Sequence, residues 1–120
     1  MATDLNPSAA TATSNTLKSH NADLYTDILV TDLTSGLLPR LEGAIDFLIF
    51  NPPYVPTPDE EVERGGIAAA WAGGYRGRKV IDRVLPLVPK LLSPKGEWVL
   101  VTVPDNDPQG KDEKTSGAGF

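Results

Sequence analysis

Asn51-Pro52-Pro53-Tyr54 is the segment of this chain whose residue types suit a chemical task. Asn51 offers a side-chain carbonyl, and the residue after it offers a backbone carbonyl that two prolines hold stiffly. Two acceptors converging in this way suit a planar –NH2 group, which has two donors, and Tyr54 can stack on that flat group. An amide or aromatic amine nitrogen is a poor nucleophile because its lone pair is delocalised. Holding both N–H bonds and fixing the nitrogen in line with an electrophile offsets this through positioning, helped by dipoles aimed at the developing positive charge. The same four residues also read as an ordinary rigid turn after a strand. On these letters alone both readings stand.

The elements that must position this segment can be read from its neighbours. Ile45 to Phe50 is almost wholly apolar and reads as a strand buried on both faces of a parallel sheet. It ends at Asn51 because two prolines cannot donate to a ladder. In open α/β sheets ligands bind at such carboxyl ends. Trp98 to Val103 reads as a second buried strand, with Ser93-Pro94-Lys95-Gly96 as the turn before it and Trp98 in the core. Leu24 to Val30 is β-prone, and Met1 to Thr3 is a strand stub. Pro7 opens a helix ending near His20-Asn21, with His20 beside the negative end of the helix dipole. A second helix is expected from Arg76 to Leu92, broken at Pro86 and Pro89. Val55 to Tyr75 reads as loop, with one helical turn at Ala68 to Ala72. Pro104 to Phe120 is polar and aperiodic and reads as a disordered tail. Together these elements point to an α/β layered domain.

Composition narrows the function classes. The chain has 120 residues, eleven basic and sixteen acidic side chains, a net charge of −5 and no cysteine. One small domain is the expectation at this length. Without cysteine there is no thiolate nucleophile and no zinc-finger pattern, and His20 alone cannot supply a histidine metal cluster. The apolar runs are too short to span a bilayer, and Met1 to Ala10 does not read as a secretory signal. The acidic balance argues against broad binding to a phosphate backbone. Asp59, Glu60, Glu61 and Glu63 lack the spacing of a calcium loop and read as solvated. Arg64, Arg76, Arg78, Lys79 and Arg83 form a local basic excess, read as a solvated helix face with docking to a partner as the alternative. Trp71 either lines a substrate channel or anchors its loop.

Taken in order, Asp4-Leu5-Asn6-Pro7, Thr31-Asp32-Leu33, Phe50-Asn51-Pro52-Pro53-Tyr54-Val55, Ala69-Ala70-Trp71-Ala72-Gly73-Gly74 and Gly77-Arg78 form one set. That set closely resembles the HemK-like, S-adenosylmethionine-dependent protein-(glutamine N5) methyltransferases of translation release factors. Ala69 to Gly74 and Leu37-Leu38-Pro39-Arg40 look like the eukaryotic and archaeal branch. The resemblance implies a Rossmann-like class I methyltransferase fold over residues 1–104, with 105–120 as a disordered or unrelated tail. It implies S-adenosyl-L-methionine as methyl donor, with Asp4 on the ribose hydroxyls, Asp32 at the adenine amino group and Leu33 against the ring. Asn51 belongs to both the donor site and the catalytic set, and Pro52 and Tyr54 complete the latter. By their own chemistry alone, Asp4 and Asp32 also read as turn or capping residues. The implied substrate is the glutamine of a Gly-Gly-Gln loop on a class I release factor, methylated by direct in-line transfer without a metal. The implied partner is a small zinc-binding activator, forming a heterodimer along the Leu24 to Val30 edge. Cytoplasmic residence, extending to the nucleus, is the accompanying expectation.

The family's first strand with its glycine-rich donor loop would lie upstream of Asp4, and a helix and two strands would follow Gly110. The expectation is therefore a partial fold, lacking the first strand and the C-terminal strands. Two alternatives follow. One is a catalytically dead fragment that only binds the activator or a release factor. The other is an adenine-N6 nucleic-acid methyltransferase, since adenine's –NH2 also fits Asn51 to Tyr54, although the acidic charge balance makes direct nucleic-acid binding unexpected.

Overall fold

The computed structural model describes residues 1–108. The chain divides into two compact units, Met1–Arg40 and a second beginning at Leu41. Among the described residues each unit contains one pair of parallel strands, so the small α/β architecture holds, but each pair is its own two-stranded sheet.

The first unit is a βαβ turn of chain. Strand β1 (Ala2–Asp4) lies parallel to β2 (Ile28–Val30), with Asp4 opposite Val30. Helix α1 (Pro7–Ser19) makes the crossover. It starts where the sequence says it should: Asn6 caps it by accepting the Ser8 N–H at 2.8 Å, and Pro7 fills a first-turn position that needs no donor. His20 sits at its C-cap, as expected. The β-prone run contributes only its last three residues to the sheet. Asp23–Tyr25 is a 3-10 turn instead, and Leu24 is 85% exposed. After β2 the chain turns through Asp32 to Leu37, with the Ser35 N–H bonded to the Asp32 carbonyl and the Thr31 hydroxyl to the Ser35 carbonyl. Within this turn Leu33 has φ +54°. For a bulky L-residue this left-handed backbone costs about 1–2 kcal/mol.

The second unit is built on β3 (Ile45–Phe50) and β4 (Leu92–Leu100), parallel from Phe47 opposite Glu97 to Phe50 opposite Leu100. The register jumps between Ile45 and Phe47, so the expected Ser93–Gly96 turn is absorbed into β4 as a bulge. Gly96 permits it, because a Cβ there would lie 2.7 Å from the Ile45 carbonyl oxygen. Asp46 accepts the Ser93 hydroxyl across the bulge at 2.6 Å.

Burial on both faces of β3 is not observed. Phe47 and Ile49 are 57% and 64% exposed, and Val99, on the same face, is also exposed. Leu48, Phe50, Trp98 and Leu100, which alternation places on the other face, are half-buried, so Trp98 is not a core residue. A strand with one neighbour and one covered face keeps the apolar alternation but not the double burial of a central strand. The buried apolar side chains lie instead mainly on α3 (Ile81–Val84) and α4 (Val88–Leu91), where Ile81, Val84, Val88 and Leu91 are buried. The expected helix is broken between these two, at Pro86, but not at Pro89, which sits in the first turn of α4 where a missing N–H costs nothing. Its first turn starts later than expected, since Tyr75–Gly77 is a 3-10 turn with Arg76 at φ 55°.

Two further differences concern segments read as irregular. Asp59–Arg64 is a helix, α2, whose first turn carries Asp59, Glu60 and Glu61. Carboxylates there complement the helix dipole, a signal that the loop reading missed. The tail expected from residue 105 does not begin there. Pro104–Asn106 is a 3-10 turn, and Asn106 and Asp107 are buried. The rest of that tail, from 109 onward, lies outside the described residues.

Replacing Ile81, which is fully buried, by Ala is expected to cost about 2–5 kcal/mol, while Leu24→Ala stays within about 0.5 kcal/mol; urea unfolding measures both. Leu33→Asn relieves the left-handed strain, because Asn tolerates that region better. Its expected effect on urea unfolding is between no loss and a gain of about 1 kcal/mol.

Candidate active site

Three of the four residues expected at the donor site, Asp4, Asp32 and Leu33, lie together in the first unit, and the fourth, Asn51, belongs to the second. Asp4 ends β1, and Asp32 and Leu33 follow the neighbouring parallel strand β2, so all three stand at the carboxyl end of one strand pair. The Thr31 N–H donates to the Asp4 carbonyl, extending the ladder one step and tying the two strand ends together. One oxygen of the Asp4 carboxylate accepts the Asn6 N–H at 2.9 Å. This fixes the carboxylate beside the cap of α1 and leaves its second oxygen as an acceptor for hydroxyls. The capping role and the ligand role are therefore compatible at Asp4. Asp32 and Leu33 occupy the turn whose strained backbone presents the Leu33 side chain. Both are half-buried.

Asn51, Pro52 and Tyr54 lie in the second unit, on the loop that leaves β3 at its carboxyl end. The Phe50 carbonyl still accepts the Val101 N–H at 3.1 Å, so the sheet holds the chain up to the residue before Asn51. Pro52 is fully buried and Asn51 is exposed. Beyond the prolines the loop pairs again. The Val55 N–H donates to the Trp71 carbonyl, the Gly73 N–H to the Val55 carbonyl and the Thr57 N–H to the Gly74 carbonyl. The Thr57 hydroxyl accepts the Gly74 N–H at 3.1 Å. Among the described residues, no hydrogen bond engages the Asn51 side chain or the carbonyls of Pro52 and Pro53. The two acceptors read from the sequence are thus held between two anchored ends without a hydrogen-bond partner, Asn51 exposed and Pro52 buried.

The Ala69–Gly74 run has a steric role in this. A Cβ on Gly73 would stand 2.6 Å from the Pro53 carbonyl oxygen and 2.6 Å from the Gly77 Cα. Only glycine lets the backbone approach the proline pair so closely. Gly77, at φ +68°, is equally crowded by the Tyr54 carbonyl. Trp71 is partly exposed on the paired segment, and its carbonyl anchors the loop through Val55.

Of the basic residues, Arg64 and Arg83 are exposed, while Arg76, Arg78 and Lys79 are tied into the unit. Arg78 grips one Asp82 oxygen through Nε and Nη2, at 2.9 and 2.7 Å, and donates from Nη1 to the carbonyls of Asn106 and Asp107. Arg76 pairs with Asp107 at 3.9 Å and lies 5.7 Å from the centroid of the Tyr75 ring. Lys79 pairs with Glu63 at 3.5 Å. Among the acids, Asp59 accepts the Tyr75 N–H at 2.9 Å, so it and Glu63 tie α2 to the glycine-rich turn rather than standing in solvent alone. Asn106 is the residue that the sequence reading missed. It was placed in the tail, yet it is fully buried and hydrogen-bonded to the Asn51–Tyr54 loop. A polar residue among prolines and aspartates carries no periodic signal that would single it out.

Comparison with known proteins follows the same order of motifs. No family model matches the chain. The chain is 53% identical over 119 residues to methyltransferase HEMK2 of Mus musculus, covering 98% of this chain and 55% of that protein. It is 43% identical over 93 residues to the eRF1 methyltransferase catalytic subunit mtq2 of Schizosaccharomyces pombe, covering 72% of this chain and 40% of that one. It is 37% identical over 75 residues to a release factor glutamine methyltransferase of Mycolicibacterium smegmatis, covering 59% of this chain and 27% of that one. The chain spans about half the length, or less, of these relatives. Along nearly its whole length the chain is therefore similar to proteins named as HEMK2 and release factor methyltransferases.

Proposed function

We propose that this chain carries the amide-binding loop and part of the donor site of a protein-(glutamine N5) methyltransferase whose substrate is a class I translation release factor. The observation that carries the reading is the loop after β3: the exposed Asn51 side chain and the buried Pro52 carbonyl carry no hydrogen bond among the described residues, on a backbone anchored at both ends. Asn51 and Pro52 each take one N–H of a glutamine side-chain amide, and the Tyr54 ring covers its flat face. With both N–H bonds held, the nitrogen is oriented before it reacts, and positioning does most of what catalysis requires.

The residues present also fit S-adenosyl-L-methionine. The free oxygen of Asp4 suits ribose hydroxyls, as acidic residues at strand ends do in dinucleotide folds. Asp32 suits the adenine amino group, and Leu33 its ring. When bound, the donor supplies an electrophilic methyl group. The Rossmann-like class I fold is the finer reading of the two parallel pairs. The activator partner we place at β2, where Leu24, Tyr25 and Val30 are exposed beside a strand at the edge of its pair; such edges are ready for pairing by another chain.

Calorimetric titration of S-adenosylmethionine into the purified chain, with and without the activator, is expected to show stoichiometric binding. Incubation with a Gly-Gly-Gln peptide is expected to add one methyl group to Gln by mass spectrometry. Asn51→Ala is expected to lower that rate by about 10²–10³-fold, the range seen when one preorganised polar contact to a reacting group is removed. No methylation by this chain, or by a version extended upstream to the relatives' length, would overturn the reading. Donor binding only in the extended version would instead assign this chain the binding role alone.

A further inference from the structure

The Asn106 side chain makes three hydrogen bonds, each to a different segment of the second unit. Its Oδ1 accepts the Val103 N–H at 2.9 Å, just beyond β4. Its Nδ2 donates to the Tyr54 carbonyl at 2.9 Å and to the Arg76 carbonyl at 2.8 Å, across 52 and 30 residues of chain. An amide has two donors on nitrogen, and here both end on backbone carbonyls. The orientation is therefore unambiguous: turning the amide over would face its oxygen to two acceptors. The side chain is fully buried, so any partner left unsatisfied cannot turn to water.

We infer that Asn106 is a positioning residue for the amide-acceptor loop, selecting which carbonyls of Asn51 to Tyr54 remain open to substrate; this rests on the reading of that loop given above. By occupying the Tyr54 carbonyl, Asn106 takes it out of the set and leaves the exposed Asn51 side chain and the buried Pro52 carbonyl as acceptors without a hydrogen bond. Gly77 makes the contact possible, because a Cβ there would fall on the Tyr54 carbonyl oxygen and stand 2.5 Å from Asn106 Nδ2. Arg78 buttresses the same point by donating to the carbonyls of Asn106 and Asp107 at 3.1 and 3.2 Å. The chemistry demands asparagine. Aspartate keeps the shape and the Val103 contact but has no donor when ionised, leucine keeps the volume but no polar atom, and glutamine is one methylene too long.

The test compares the full chain with Asn106→Asp by two readouts. In the methylation assay with S-adenosylmethionine and a Gly-Gly-Gln peptide, kcat is expected to fall about 10²-fold, as for a misplacement of about 1 Å, while KM for the donor stays unchanged. In nuclear magnetic resonance spectra, the side-chain amide resonances of Asn51 and the backbone amides of Val55 and Gly73 are expected to shift, with α1 and β2 resonances unaffected. An unchanged kcat, or unmoved Asn51 and Val55 resonances in a folded variant, would overturn the inference. If the unsubstituted chain does not methylate the peptide, the proposed function fails in this chain, and the resonances still decide the positioning role. If the variant does not fold, the unsubstituted chain decides. Scalar couplings from the Asn106 side-chain nitrogen to the Tyr54 and Arg76 carbonyl carbons are then expected, and their absence would overturn the inference.

Discussion

Two successive prolines at the carboxyl end of a parallel strand impose the constraint on which the second unit depends. Neither Pro52 nor Pro53 has an N–H, so the ladder that holds β3 to β4 cannot continue through them, and the chain must leave the sheet after Phe50. Their carbonyls leave with it, stiffly oriented and without ladder partners. Everything around the loop compensates for this local loss of hydrogen bonding. Val55 and Thr57 pair with the segment from Trp71 to Gly74, and Asn106 takes the Tyr54 carbonyl from behind. The loop is thereby fixed on both sides of its open acceptors.

Small residues are where this arrangement is most exposed to change. Gly73 and Gly77 lie against the carbonyls of Pro53 and Tyr54 at distances that no side chain permits. The glycine-rich turn is therefore packing in the service of the loop, and its neighbours Arg78, Lys79 and Asp59 lock it to the remainder of the unit through ion pairs and backbone contacts. Charges that look like a solvated patch in one dimension serve as internal ties in three. The first unit follows a similar economy: Asp4 is at once the last strand residue, the acceptor that fixes Asn6, and a carboxylate with one oxygen to spare.

Local chemistry made a large part of the fold legible. Asn6-Pro7 announces the start of α1, since capping and a fixed φ act within one turn. Ile45 to Phe50 announces β3, and Pro86 announces the break between α3 and α4. Legibility ended where an outcome depended on distant chain. The Ser93–Gly96 turn became a bulge because β4 pairs with β3 on both sides of it. Double burial of β3 failed because apolar character records what a strand can bury and not how many neighbours cover it. The acids at the start of α2 were read by their charge and not by their place at a helix N-terminus.

Residue types and their spacing by themselves determined the acceptor motif and its position after a strand, and they carry the resemblance to the HemK-like methyltransferases. These follow from covalent structure and from hydrogen-bonding capacity, which each residue carries wherever it is placed. Tertiary structure alone decided that the Asn51 and Pro52 acceptors stay without a hydrogen bond while the Tyr54 carbonyl is taken, that Arg78 is internal, and that Asn106 is the buried link among three segments. Those outcomes depend on which groups meet across 30 or 52 residues of chain, and a donor's partner at that separation is set by packing geometry, which no local pattern records.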